Sequence, residues 1–113
     1  MKQNREVNKY AQAVFAVSDK LGNLSDTIQR LDNLSTFYIS SPEFRLFLQS
    51  RRIDQAEKMK ILKKVFLDIL SDMELNLLNH LLKDGLIHLL EAVIKRVSFL
   101  AETSKITLKV TIS

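Results

Sequence analysis

The sequence predicts an all-α fold, a bundle of six helices followed by a short strand-like tail. Apolar residues recur along most of the chain at intervals of three and four, the spacing that places them on one face of a helix. Two glycines and one proline leave little material for the many tight turns of a β-protein. Apolar residues make up 46% of the 113 residues and charged residues 27%, which excludes a disordered chain and suffices for one ordinary core.

The first two helices are predicted over residues 4–21 and 24–39, with Gly22 and Asn23 between them. The first helix is apolar over more of its circumference than one buried face requires. Such a helix either lies at the centre of a bundle or keeps a face for a partner. Its main stripe is Val7, Tyr10, Val14, Val17 and Leu21, and in the second helix the inward residues are Leu24, Ile28, Leu31, Leu34 and Tyr38.

A short third helix is predicted over residues 42–48, since Ser41 suits the N-cap and Pro42 suits the first helical turn. A fourth helix is predicted from residue 54 to about residue 70. Its inward stripe is Met59, Leu62, Phe66 and Ile69, and its other face carries Lys58, Lys60, Lys63 and Lys64. That basic face is interpreted either as a solvated surface or as an electrostatic docking surface.

The fifth and sixth helices are predicted within the most apolar stretch, residues 71–100. Ser71 and Glu74 have the spacing of a capping box, which marks a helix start. Gly85 is expected to end the fifth helix, because glycine enters the left-handed conformation without a steric penalty. The apolar stripe of the sixth helix is Leu86, Leu90, Val93, Val97 and Leu100.

The apolar period changes at residues 105–113 (KITLKVTIS), where polar and apolar residues alternate. Alternation and β-branched residues are typical of a strand. A single strand has no sheet to join in a helical bundle, so we expect it to be unpaired. We therefore expect residues 1–104 to form a helical domain and residues 105–113 to begin a second domain that the chain does not contain.

No residue pattern in the sequence is typical of an active site, a metal site or a cofactor site. Cysteine is absent, and neither a phosphate-binding glycine loop nor a nucleophile motif occurs. His80 and His88 are the only histidines, and a helix break separates them, unlike two metal ligands on one helical face. No apolar run is long enough to cross a bilayer. We expect a protein that is not an enzyme, has no cofactor and does not insert into a membrane.

A DNA-binding or adaptor domain is the alternative that a small helical chain with a net charge of +4 leaves open. Helical hairpins with a glycine turn are common in DNA-binding proteins. The helix after Gly85 is strongly apolar, however, whereas a recognition helix needs exposed polar residues that reach base edges. We therefore predict no nucleic-acid partner.

Five segments, in order, resemble the N-terminal domain of the delta subunit of F-type ATP synthase, whose mitochondrial member is the oligomycin-sensitivity-conferring protein. Residues 10–15 (YAQAVF) are similar to the family's YAxAxF opening. Residues 41–48 (SPEFRLFL) resemble its short third helix, and residues 58–62 (KMKIL) its "Kxxil" segment. Residues 76–85 look like its fifth helix and turn, and residues 110–113 (VTIS) like the strand that opens its second domain. One departure is Leu86, where family members often have arginine.

The resemblance implies a non-catalytic stator subunit that ties the catalytic head of ATP synthase to the peripheral stalk. In the family, a groove between the first and fifth helices of this six-helix domain binds the amphipathic N-terminal helix of an alpha subunit. The b subunit of the stalk is bound by the second domain. The resemblance also implies a peripheral membrane protein on the cytoplasmic side of the bacterial inner membrane.

The groove of the family maps onto two sets of residues in this chain, one on each helix. The first helix contributes a short row of residues that includes one small side chain, where the backbone of a partner can approach. The fifth helix contributes a row of polar residues at helical spacing. The predicted partner-binding residues are Tyr10, Ala13, Val14 and Val17, with Asn76, Asn79, His80 and Lys83. Tyr10, Val14 and Val17 are equally compatible with a plain core position, and Asn76 with a hydrogen bond inside the bundle.

Overall fold

A computed structural model describes the backbone of residues 2–112 and the side chains of residues 4–104. Within that backbone the chain forms six α-helices, one short 3-10 turn and no strand, which confirms the all-α prediction. The 3-10 turn, Ile87–Leu89, precedes the last helix. The helices are α1 (Lys2–Leu21), α2 (Leu24–Ser40), α3 (Pro42–Gln49), α4 (Gln55–Val65), α5 (Asp72–Lys83) and α6 (Leu90–Ile112).

The core is built around α6, which packs against both α1 and α2. Leu90, Val93 and Val97 of α6 are completely buried, as the apolar stripe predicts. α2 contributes Leu31 and Leu34 to the same cluster. Because the apolar faces of these helices close on each other, burial drives the assembly of the bundle.

A hinge of defined geometry separates α5 from α6. Gly85 has a φ of 71°, so it adopts the left-handed conformation that glycine tolerates. Its N–H donates to the carbonyl of Leu82, and the N–H of Leu86 donates to the carbonyl of Leu81, at 3.2 and 2.8 Å. This pair of bonds is a Schellman motif. Leu86 is partly buried and packs against the core.

α4 is shorter than the sequence predicts, because the helix ends at Val65 and not near residue 70. Two backbone bonds then turn the chain, from the N–H groups of Ile69 and Leu70 to the carbonyl of Phe66. Phe66 and Leu70 are buried, whereas Ile69, which was predicted to face inward, is 48% exposed.

Two further predictions from the sequence are wrong. Residues 105–112, predicted as a strand, have a helical backbone that continues α6, and Ser113 lies outside the described residues. A lone strand leaves its N–H and C=O groups unpaired, whereas a helix pairs them internally. Lys58, which was predicted on the exposed basic face of α4, is buried.

Candidate functional site

One apolar groove of about 420 Å³ lies between α1 and α5. α1 lines it with Tyr10, Ala13, Val14, Val17 and Leu21. Tyr10 and Val14 are buried and form its floor, whereas Ala13, Val17 and Leu21 are exposed along its side. Val17 and Leu21 remain 48% and 65% exposed, so the apolar stripe of α1 continues beyond what the bundle covers. Tyr10 and Val14 are therefore core positions, whereas the bundle leaves Val17 and Leu21 uncovered.

α5 lines the opposite side of the groove with Met73, Asn76, Leu77 and His80. Leu77 is buried, Met73 is half-buried, and the polar side chains of Asn76 and His80 are exposed. The four positions are spaced by three, one and three residues, so they follow one face of the helix. The groove thus has an apolar floor and hydrogen-bonding groups on the α5 side.

Two hydrogen bonds connect α1 to α5 across the groove. The hydroxyl of Ser18, which is completely buried, donates to Met73 Sδ at 3.0 Å. The hydroxyl of Tyr10 donates to the carboxylate of Asp84, the residue that follows α5. Burial, together with the hydrogen bond to Asp84 and the charge of its carboxylate, raises the pKa of Tyr10 to about 12. Tyr10 therefore remains a donor at every physiological pH, and this contact holds the two sides of the groove together.

A buried ion pair holds the start of α5 against α2. Arg30 Nε lies 2.6 Å from Glu74 Oε1, and the side chain of Glu74 is fully buried. The carboxylate of Glu74 also accepts from the backbone N–H of Ser71 at 2.7 Å and from its hydroxyl at 2.9 Å. Ser71 and Glu74 form the predicted capping box. These contacts fix the helix that supplies one side of the groove.

Six of the eight residues predicted from the sequence line the groove, and two do not. Asn79 is half-buried, and its carboxamide oxygen accepts a hydrogen bond of 2.5 Å from Gln55, the first residue of α4. Lys83 is exposed near the end of α5, outside the residues that line the groove. Asn79 is offset from the face of α5 that carries Met73, Leu77 and His80. Lys83 is the last residue of α5, beyond His80 at the end of the groove.

Four residues at this site were not predicted from the sequence. Leu21 and Leu77 had a usable signal, because they continue the rows of Val17 and His80 by helical spacing. Met73 likewise precedes Asn76 by three residues. No pattern in the sequence indicated Asp84, because its contact with Tyr10 joins residues that lie 74 positions apart in the chain.

Neither a metal cluster nor a membrane span is found among the described residues. Within residues 4–104, no three side chains of histidine, aspartate or glutamate come together in a way that could hold a metal ion. No helix there is long and apolar enough to cross a bilayer.

The fold and the groove define a class, a small helical bundle with an open apolar groove. The comparison with protein families identifies the family within that class: residues 7–113 match the model of the ATP synthase delta (OSCP) subunit. The chain therefore belongs to the ATP synthase delta (OSCP) subunit family. A member of this family is a structural subunit of the peripheral stalk and associates with other subunits of ATP synthase. A comparison with curated protein sequences finds no match.

Proposed function

We propose that this chain binds the N-terminal helix of an ATP synthase alpha subunit in the groove between α1 and α5, and so ties the catalytic head to the peripheral stalk. The observation that carries the proposal is the groove itself. It is apolar at its floor, open to solvent, and lined by exposed Val17 and Leu21 that the bundle leaves uncovered. An amphipathic helix buries such residues with side chains spaced by three and four.

The two sides of the groove have different roles in this proposal. Ala13 is small and exposed, so the backbone of a partner helix can approach α1 closely there. Asn76 and His80 are exposed on α5 and provide hydrogen-bonding groups that fix the register of the partner. The apolar floor contributes most of the affinity, and the polar groups contribute orientation.

The direct test is a titration with a synthetic peptide of the alpha-subunit N-terminus from the same organism. Ala13→Asp places a carboxylate against the apolar face of the bound helix and is expected to weaken binding by at least about tenfold. Folding should be retained, because in the free protein the new carboxylate meets water. Circular dichroism and thermal melting check the fold of the same sample.

Ala16→Asp is the matched control, since Ala16 is also an exposed alanine of α1 but does not line the groove. The control should bind the peptide as the wild type does. A folded Ala13→Asp protein that binds normally, or equal losses in both variants, would overturn the groove as the alpha-subunit site.

We further propose that the chain works on the cytoplasmic side of a bacterial inner membrane as part of ATP synthase, which is a membrane-associated complex in this family. Co-sedimentation with inner-membrane vesicles that carry the complete complex, and release with its catalytic head, tests this assignment.

Binding of the b subunit through a second domain stays a prediction of the family resemblance. No structural observation favours the DNA-binding alternative, because the helix after Gly85 turns Leu90, Val93 and Val97 into the core.

A further inference from the structure

A second cavity, of about 500 Å³, lies where the link between α3 and α4 meets the turn after α5. Three cationic or ionisable basic side chains line it: Lys58 of α4, Arg51 of the link and His88 of the 3-10 turn. No aspartate or glutamate is among its lining residues. The charged side chains in this lining are therefore all basic, which favours an anionic occupant.

Lys58 is the unusual member of this set, because it is a cation with only 7% of its surface exposed. Its Nζ donates to the carbonyls of Leu48 and Ser50, at 2.8 and 2.6 Å. These carbonyls lie at the C-terminal end of α3, where the helix dipole favours a positive charge. No carboxylate pairs with Lys58 in the part of the chain that the structure describes.

The surroundings of Lys58 therefore neutralise it only in part. Burial lowers the pKa of Lys58, which shows that its charged form lacks the solvation it would have in water. The ammonium group has three N–H donors, and the two carbonyls account for two of them. A buried charge without a counter-ion is costly unless another charge or ligand compensates it.

Arg51 and His88 are both exposed at the same cavity. Within the described residues Arg51 has neither an ion pair nor a side-chain hydrogen bond. A guanidinium group pairs two oxygens of a phosphate at once, and an ammonium group binds phosphate as a point charge. Together the three side chains offer the donor types that bind phosphate in other proteins.

We infer that this cavity binds a phosphate group, with buried Lys58 as its fixed anchor and exposed Arg51 and His88 closing on it from outside. The phosphate is carried either by free inorganic phosphate or by a larger phosphate ester such as a nucleoside diphosphate. The site lies apart from the groove between α1 and α5 and shares no lining residue with it.

The experiment uses the 113-residue chain with isotope-labelled backbone amides and titrates it separately with inorganic phosphate and with a nucleoside diphosphate. Sodium chloride at matched ionic strength is the blank, because salt alone screens charges. Binding should saturate and shift the amide signals of residues 48–58 and 85–88, while the signals of α1 stay in place. A tighter titration with the diphosphate identifies an ester, and equal or tighter binding of inorganic phosphate identifies the free ion.

Arg51→Gln and Arg52→Gln form the decisive pair, since both arginines are exposed but only Arg51 lines the cavity. Arg51→Gln should weaken phosphate binding by about tenfold, as expected for the loss of a charge-assisted hydrogen bond, and Arg52→Gln should leave it unchanged. Both variants should melt like the wild type, so the comparison does not depend on Lys58, whose replacement also removes contacts to α3. Absence of saturable shifts, or equal affinities in the two variants, overturns the inference.

Discussion

α1 and α6 are neighbouring helices with similar apolar stripes, yet the bundle covers one stripe and leaves part of the other open. Leu90, Val93 and Val97 of α6 are fully buried, whereas Val17 and Leu21 of α1 lie about half or more exposed along the groove. The difference does not lie in the residue types, since valine and leucine occur in both. It lies in the position of the neighbours: the stripe of α6 packs against α1 and α2, whereas Val17 and Leu21 of α1 lie along the open groove beside α5.

The largest effect should come from placing the same charge in each stripe. Val97→Asp buries an unpaired carboxylate in the core and is expected to cost several kcal/mol, which is comparable with the whole stability of a small domain. Val17→Asp leaves its carboxylate in water and should change the melting temperature little, while it abolishes peptide binding. Thermal melts beside peptide titrations separate the two, and equal loss of stability in both variants would show that Val17 is part of the core.

A smaller effect is expected from the ion pair that holds α5 in place. Glu74→Ala leaves Arg30 without its partner and removes the acceptor for Ser71, which should lower the free energy of unfolding by roughly 3 kcal/mol. Asp72→Ala is the matched control, because Asp72 is an exposed acid in the same helical turn. Chemical denaturation measures both. A loss in the control as large as that in Glu74→Ala would mean that helix-dipole charge, and not the pair, stabilises α5.

The helices were largely predictable because local residue patterns mark where they begin and end. Ser41 accepts from the N–H of Phe44, Ser71 and Glu74 form the capping box, and Gly85 ends α5 with a positive φ. Where local signals were absent or misleading, prediction failed. No glycine or proline marks the end of α4 at Val65, and the alternation in residues 105–113 resembles a strand although residues 105–112 are helical.

The site was predictable on α1 and only in part on α5. The family resemblance implied a groove between the first and fifth helices, and helical spacing gave the residues along it. Six of the eight predicted residues line the groove. Spacing cannot say how a helix is rotated toward its neighbours, which is why Asn79 was misplaced: it bonds to Gln55 of α4. Nor does it reveal pairs distant in sequence, such as Lys58 with the carbonyls of α3 or Tyr10 with Asp84.

The smallest effect on stability is expected at Tyr10. This residue links the covered and open parts of α1. Tyr10→Phe keeps the ring on the floor of the groove and removes the hydrogen bond to Asp84. Because Asp84 is exposed and regains water, the loss of stability at pH 7 should be only about 1 kcal/mol. If the bond also fixes the distance between α1 and α5, affinity for the peptide should fall several-fold at unchanged helical content.

The pH dependence of the same variant gives an independent check. The pKa of Tyr10 is raised from 10.0 to about 12 in the folded protein, so its contribution is fully present below pH 10 and is lost as the pH rises from 10 toward 12. Phenylalanine does not titrate, and all other groups are common to both proteins, so the stability advantage of the wild type over Tyr10→Phe should shrink across that window. Denaturation at pH 9, 10 and 11 measures the difference. A constant difference would show that Tyr10 ionises no less easily in the folded state than in the unfolded one, and that neither its burial nor the bond to Asp84 holds its proton.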